Sequence, residues 1–246
     1  MARRRVTTTK YEIIQVASEF FLDVGYSNTS PKMIAEELDL STGNITYYFP
    51  SKEHLLAVIV EMLCDFQWKM LEVEADGGVG SVSSICYEMM TVAASCEKNA
   101  IARDFFVSTF QSEMCRNYLR KYHVERAKRI FSDTCKDWTE EQFIEAEILV
   151  MGIQYATIAS TEASVSFDMR LKGALNQILS IYNVDEQTRK KEIDKVLMID
   201  CRRLGDRVIL EFAKYVENAN SQALEEMLRG NRKKNRHADN DSEEAV

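Results

Sequence analysis

The scarcity of proline is the feature that most constrains how this chain folds. Pro31 and Pro50 are the only prolines among 246 residues. Proline breaks helix interiors because it lacks a backbone N–H and its ring clashes with the preceding turn. The long sequence after Pro50 is therefore free to form helices.

Apolar residues recur at helical spacing along nearly the whole chain, whereas strand-like alternation is nearly absent. Thr9 with Glu12 has the pattern of a capping box and predicts the start of a first helix, which ends at Gly25. Further helices are predicted at about 51–75, 82–98, 100–111, 113–136, 140–163, 168–182 and 186–228. The expected fold class is all-α.

Composition and charge limit the kind of protein this is. Residues are 46 % hydrophobic and 28 % charged, as in ordinary globular proteins. No apolar run approaches the roughly 18 residues of a membrane span, and no apolar segment of a secretory signal follows the start. We therefore expect a cytoplasmic protein with no membrane partner. The net charge of −8 excludes a generally basic nucleic-acid coat but leaves room for one small basic face.

Neither a metal site nor an enzyme is predicted. The six cysteines contain no C-x-x-C pair and the three histidines lie far apart, so we expect no metal or other cofactor and interpret the cysteines as buried apolar residues. The glycine-rich segment 77–80 lacks the preceding strand and the lysine of a phosphate-binding loop. No catalytic residues are assigned.

A short helix and a turn are predicted from Ser30 to Leu40. Ser30 is a favourable N-cap, and Pro31 suits the first helical position because its missing N–H costs nothing there. Asp39 is expected to end this helix, since aspartate tolerates the left-handed backbone conformation.

A second short helix is predicted after Ser41, which caps it. Its Ile45 and Phe49 are expected to point inward. The outward side chains are hydrogen-bonding or aromatic, and none is acidic, as an element facing phosphates and base edges requires. They are Thr42, Gly43, Asn44, Thr46, Tyr47 and Tyr48. Ser51 is expected to cap the next helix, with Lys52 beside it as a phosphate ligand.

These residues resemble, in order and spacing, the signature of the tetracycline-repressor (TetR) family. The matching residues are Gly25-Tyr26, Thr29, Ile34-Ala35, Leu40-Ser41-Thr42-Gly43 and Tyr48-Phe49-Pro50-Ser51-Lys52. The resemblance implies that Lys32 opens a supporting helix at the DNA, that 42–48 is the recognition helix, and that Tyr48 and Lys52 hold phosphates. Asp39 and Thr46 depart from the glycine and tyrosine that are usual in the family. The alternative is a plain three-helix subdomain with polar outer faces.

The resemblance implies an N-terminal three-helix helix-turn-helix domain over 9–50 and a larger helical effector-binding and dimerisation domain over 51–228. Residues 1–8 are expected to form a flexible basic arm and 229–246 a disordered tail. Arg3, Arg4 and Arg5 either enter a minor groove or are a solvated start; both interpretations are open.

The function implied is that of a ligand-responsive repressor that binds double-stranded palindromic operator DNA as a homodimer. An effector beneath the helix that starts at Ser51 would tilt that helix and separate the two recognition helices. The alternative is a DNA-binding protein of the same fold with an architectural or division role and no small-molecule effector.

Two further predictions concern the larger domain. Helices near 140–163 and 186–217 are candidates for the dimer interface, the second because Ile193, Leu197, Cys201, Leu204, Val208 and Phe212 form one stripe; the alternative is packing within one subunit. An unknown small-molecule effector is expected to contact aromatic and sulfur side chains, although such residues are more often plain core. The candidates are Tyr87, Met90, Phe106, Phe110, Tyr122 and Tyr155.

Overall fold

A computed structural model of the chain describes residues 2–75, 78, 80–160, 165–200 and 203–223, with side chains from residue 9 onward. This part of the chain consists of helices joined by turns and short loops and has no strand. Its helices are α1 (Ala2–Phe20), α2 (Pro31–Glu37), α3 (Thr42–Tyr48), α4 (Lys52–Glu74), α5 (Val82–Lys98), α6 (Ala100–Gln111), α7 (Glu113–Ile130), α8 (Glu140–Ala159), α9 (Phe167–Ile181), α10 (Glu186–Leu197) and α11 (203–223). The all-α prediction is confirmed.

Short polar side chains at the N-caps set most of the helix starts. Each accepts a hydrogen bond from a backbone N–H of the first turn, which would otherwise lack a partner. The predicted starts at 82, 100, 113, 140 and 186 are confirmed. The caps are Ser30, Ser41, Ser81, Asn99, Ser112, Thr139, Ser166 and Asp185.

The first helix differs from its prediction at the N-terminal end. It begins at Ala2, so Thr9 lies within it and is not its N-cap. The backbone of residues 2–8 is thus helical, in contrast to the flexible arm expected there; no proline or glycine in this segment interrupts the helix. At the other end a π-helical turn over Phe21–Gly25 follows, and Gly25 has φ +98°, which a glycine adopts readily.

The single helix predicted over 186–228 is wrong. The chain turns after α10 at 198–200, and the carboxylate of Asp200 accepts a hydrogen bond from the backbone N–H of Arg203 at 3.4 Å, near the start of α11. The apolar period continues on both sides of the turn, so the pattern alone did not reveal the break. The predicted tail at 229–246 lies outside the described residues.

Four residues of the late stripe are buried within the subunit. Ile193, Leu204, Val208 and Phe212 are buried within the same subunit, so the alternative of packing inside one subunit holds for this part of 186–217. Phe212 packs against the rings of Phe66 in α4 and Phe105 in α6. Cys201 lies outside the described residues.

Helix α4 joins two parts of one continuous core. Near its start, Leu55 and Ile59 are fully buried in the same core as Ile13 of α1 and Ile45 of α3. Further along, Leu63 and Leu71 are buried with the larger domain, where α4 packs against α5, α6 and α7. A movement of α4 would therefore disturb the packing of both parts, because close-packed interiors transmit strain.

Helix α11 crosses α5 at unusually short range. A Cβ atom on Gly205 would lie 2.7 Å from the backbone carbon of Ala94 and 2.8 Å from the backbone nitrogen of Ser95. The carbonyl of Gly205 also accepts a hydrogen bond from the Ser95 hydroxyl at 3.2 Å. This crossing requires a residue without a side chain.

We therefore expect Gly205→Ala to destabilise the protein by about 1–3 kcal/mol, the usual cost of overpacking, because backbone atoms have to move. Thermal unfolding of the variant measures this. Gly43→Ala is the matched control, since its Cβ would meet only the Ser41 hydroxyl at an ordinary 3.6 Å. An unchanged melting temperature for Gly205→Ala would contradict the described crossing.

Candidate functional site

Helix α3 is anchored by one side and open on the other. Ile45 is fully buried and Phe49, at its C-cap, is nearly so, which confirms that both point inward. Tyr47, between them in sequence, is 77 % exposed. The helix therefore presents its outer face rigidly to the surroundings.

The turn before α3 has the backbone that the sequence predicted. Asp39 has φ +52°, in the left-handed region, and it is one of two non-glycine residues with positive φ in the described chain. The turn lets the backbone N–H of Leu40 donate to the carbonyl of Ala35 at 2.8 Å. Aspartate thus adopts here the left-handed conformation that glycine usually provides at the end of a helix.

A capping box starts α3. The Ser41 hydroxyl accepts a hydrogen bond from the backbone N–H of Asn44 at 3.3 Å, and the Asn44 side-chain oxygen accepts from the backbone N–H of Ser41 at 3.2 Å. The sequence analysis missed this role for Asn44, whose oxygen is held by the cap.

The predicted outward residues of α3 form one surface. Thr42, Gly43, Asn44 and Thr46 are exposed along with Tyr47. Tyr48 is half-buried, and its ring meets that of Tyr47 edge to face with centroids 5.1 Å apart. We call 42–48 the α3 face. It carries no acidic residue, and its hydroxyls, amide and phenols are able to donate and accept hydrogen bonds.

The two candidate lysines differ in their surroundings. Lys32 is highly exposed on α2, and its ammonium lies 3.6 Å from the carboxylate of Glu36. Such exposed pairs contribute little and are readily exchanged. Lys32 is therefore accessible to an anion beside α3.

Lys52 is engaged inside the protein. Its ammonium donates to the carbonyls of Tyr26 at 2.8 Å and Thr29 at 2.9 Å, and it lies 4.1 Å from the centre of the Tyr26 ring. Burial lowers the pKa of Lys52. Sequence reasoning missed this clamp on the loop between α1 and α2. Ser51 stands at the N-cap of α4 but does not cap it with its side chain, since its hydroxyl bonds to Nδ1 of His54 at 2.8 Å.

The side chains of Arg3, Arg4 and Arg5 lie outside the described residues, so their part in DNA binding stays a prediction. Only their helical backbone is described.

A narrow apolar cavity lies inside the larger domain. Its volume is about 40 Å³, enough for a few water molecules only. Phe106 and Phe110 line it, as predicted for an effector site, between side chains of α4, α5, α7 and α8.

The other four candidate effector residues lie elsewhere. Met90 is fully buried core, and Tyr87 points its hydroxyl towards Glu74. Tyr122 donates to the carbonyl of Cys64 at 3.3 Å. Tyr155 lies on the outer surface, beside Phe110.

The inner end of the cavity contains charges that the sequence analysis missed. Glu88 and His123 line it, and Arg126 and Glu147 lie immediately behind them. All four are nearly buried. Charged residues on an amphipathic helix are normally expected to face solvent. No sequence signal therefore indicated that these four side chains are buried together.

Asp104 connects the two parts of the molecule. It lies on α6, the helix that contributes Phe106 and Phe110 to the cavity, and its carboxylate accepts hydrogen bonds from the Ser27 backbone N–H at 2.8 Å and hydroxyl at 2.5 Å. Gly25 lies beside it with φ +98°, a conformation that glycine adopts readily, and a Cβ there would lie 2.9 Å from the Asp104 carboxylate. The cavity wall is thus tied directly to the loop that precedes α2.

An apolar strip on α8 and α9 faces outward. Ile148, Leu149 and Tyr155 on α8 and Met169 on α9 are exposed, and Gly152 has open space above it. Exposed apolar patches of this kind are typical of protein interfaces. The predicted dimer interface near 140–163 is therefore supported by an exposed apolar face, whereas the apolar stripe within 186–217 is largely buried in the subunit.

The described residues show two further results. Cys64, Cys86, Cys96, Cys115 and Cys135 are all buried and free, and burial raises the pKa of Cys86 and Cys96 to about 12. Within the part of the chain that is described, no cluster of potential ligands fits a metal ion, and no helix is long and apolar enough to span a membrane.

Comparison with known proteins places the α3 face in a family context. Residues 13–59 match the model of bacterial regulatory proteins of the tetR family. The uncharacterised HTH-type transcriptional regulator YuxN of Bacillus subtilis is 26 % identical over 144 residues, which are 52 % of this chain and 48 % of that protein. The HTH-type transcriptional regulator HbdR of Aromatoleum sp. is 28 % identical over 107 residues, 44 % of this chain and 45 % of that protein. The matched segments thus span about half of each relative.

The fold has a similar solved structure in SmeT, described as the repressor of the Stenotrophomonas maltophilia multidrug efflux pump SmeDEF. The TM-score is 0.50 at 17 % identity, over 72 % of this chain and 91 % of SmeT. The likeness concerns the fold alone. The segment 13–59, which contains α2, the Asp39 turn and α3, is therefore the part of this chain that is similar to bacterial regulatory proteins of the tetR family.

Proposed function

We propose that this protein is a transcriptional regulator that binds palindromic operator DNA as a homodimer and releases it when a small molecule binds. The observation that carries the proposal is the α3 face: a rigidly anchored helix with exposed hydrogen-bonding and aromatic side chains and no acid. Such a helix is suited to insertion in a major groove, where side chains read base edges.

Two copies of the face are needed to read a palindrome. Recognition helices of a dimer contact half-sites about 34 Å apart, one turn of DNA. The apolar strip on α8 and α9 is the surface we assign to the dimer, since it contains Ile148, Leu149 and Met169 in exposed positions. Burying such side chains against a second copy removes apolar surface from water.

The path from ligand to DNA runs through α6. A ligand larger than the cavity has to displace Phe106 or Phe110, and this moves α6 together with Asp104. Because Asp104 holds Ser27, the displacement reaches the loop between α1 and α2 and, through Lys52, the start of α4. Ligand and DNA then weaken each other's binding reciprocally. We propose that ligand binding relieves repression.

The alternative, an architectural DNA-binding protein without an effector, lacks a use for a cavity tied to the DNA-binding loop. A thermal-shift screen of small molecules separates the two, because a true effector raises the melting temperature by mass action. The main test is selection of random DNA duplexes on the purified protein. Recovery of a palindrome supports the proposal, and failure to retain any duplex at low salt overturns it.

Side chains of the α3 face should control affinity without affecting stability. We expect Tyr47→Ala to weaken operator binding about tenfold or more, since a specific base or phosphate contact contributes about 1–3 kcal/mol. The melting temperature should not change, because Tyr47 is mostly exposed. Met198→Ala, an exposed apolar residue in the turn after α10, is the control and should bind operator normally. Equal affinities of the two variants would argue against the α3 face.

The two lysines should separate into a DNA contact and a structural clamp. We expect Lys32→Ala to weaken binding to all duplexes alike and to reduce the salt slope by about one per subunit, with normal stability. Lys52→Met should lower the free energy of unfolding by about 1–3 kcal/mol, because two carbonyls lose a charged donor. Salt titrations and denaturant unfolding measure both. A stable Lys52→Met protein would refute the clamp.

The dimer face is tested by two matched leucines. Leu149 on α8 is 54 % exposed and Leu210 on α11 is 57 % exposed. We expect Leu149→Glu to yield monomers with strongly reduced affinity for a full palindrome, since it buries a charge at the interface. Leu210→Glu should stay dimeric. Analytical ultracentrifugation decides, and a dimeric Leu149→Glu variant would exclude this face.

A further inference from the structure

The buried charged cluster at the inner end of the cavity has several polar atoms without hydrogen-bond partners in the described part of the chain. Arg126 and Glu88 form an ion pair, and the guanidinium also donates to the Ser84 hydroxyl at 2.8 Å. Glu147 accepts a hydrogen bond from the Tyr182 hydroxyl through one oxygen. The side chains of Arg126 and Glu147 are only 3 % and 5 % exposed. Buried charges normally have all their polar atoms satisfied, because an unmet one is costly.

Two acceptors in this cluster lack hydrogen-bond partners among the described residues. They are the second carboxylate oxygen of Glu147, Oε2, and the amide oxygen of Gln154, both without exposed surface. His123 Nδ1 is 3.6 Å from Oε2 of Glu147, too far for a hydrogen bond. Nε of Arg126 is also unmet, but its guanidinium is already paired with Glu88.

These acceptors are reached through the apolar cavity. Gln154 and His123 line both the cavity and a smaller void of about 20 Å³ behind it, and Glu147 borders that void. A molecule that enters past Phe106 and Phe110 therefore meets Gln154 first and Glu147 next. The path is apolar along its length and polar at its end, which is the usual organisation of a small-molecule site.

The charges at this end favour a donor over an acceptor. The cluster contains two carboxylates, Glu88 and Glu147, against one permanent cation, Arg126. His123 lies 3.9 Å from the carboxylate of Glu88 and 3.6 Å from that of Glu147; burial disfavours its charged form, but the two carboxylates outweigh that effect and raise its pKa. An anionic ligand would add a third negative charge to a buried site, whereas a protonated amine would bring a positive charge beside the unpartnered oxygen of Glu147.

We propose that the effector is a small amphipathic amine whose apolar body lies between Phe106 and Phe110 and whose nitrogen donates to Gln154 and Glu147. This inference rests on the proposed function and names the ligand class of its regulatory site. Because the cavity holds only about 40 Å³, such a ligand has to push α6 outward, the helix that carries Asp104. The same movement of α6 that admits the ligand would therefore break the hydrogen bonds between Asp104 and Ser27.

The test uses three probes with one body and different ends: phenylbutylamine, phenylbutanol and phenylbutyrate. We expect the amine to raise the melting temperature of the full chain and to weaken its operator complex. The alcohol should bind at least tenfold more weakly, since it brings a donor without charge, and phenylbutyrate should not bind. Tighter binding of phenylbutyrate than of the amine, or no binding by any probe, overturns the proposal.

Variants of the two acceptors locate the site. Gln154→Leu keeps the side-chain volume and should reduce amine affinity at least tenfold; Glu147→Gln should do the same. Glu145→Gln, an exposed change on the same helix, is the matched control and should bind the amine normally. Should Glu147→Gln fail to fold, Gln154→Leu alone decides, and unchanged amine affinity in it overturns the assignment. If the protein binds an operator but does not respond to the amine, only the proposed ligand class is wrong. If it binds the amine but no operator DNA is found, only the proposed function is wrong.

Discussion

Burial of α4 against two sets of neighbours links the core beneath α3 to the larger domain. Its first turns complete the core beneath α3 through Leu55 and Ile59, while its later turns lie in the larger domain with Leu63 and Leu71. Lys52, at its start, reaches back to the loop between α1 and α2. These contacts share one helix, and the proposed coupling between the α3 face and the cavity depends on it.

The charged groups inside the larger domain set the chemistry of the proposed site. Glu88, Arg126, His123 and Glu147 are removed from water, which is expensive unless each is paired. The pairing is incomplete at Glu147 and at Gln154, next to the apolar cavity. A ligand that supplies the missing donor would recover part of that desolvation penalty, so binding energy is available to displace α6.

The helix pattern and its caps were predictable because they depend on local chemistry. Ser30, Pro31 and Asp39 have conformational preferences that operate within one turn of chain, and the structure has each of them in the expected role. The α3 face was predictable for the same reason, since Ile45 and Phe49 are four residues apart and define its inner side. The break between α10 and α11 was missed because no glycine or proline marks it.

The sequence by itself determined an all-helical chain with a helix-turn-helix near its start, because periodicity, caps and turn residues act over a few positions. Only the tertiary structure decided that Lys52 is a clamp, that Asp104 meets Ser27, and that Glu88 and Glu147 are buried together. Those contacts join residues far apart in the chain, and a charged side chain on an amphipathic helix has the same local pattern whether it faces solvent or another helix.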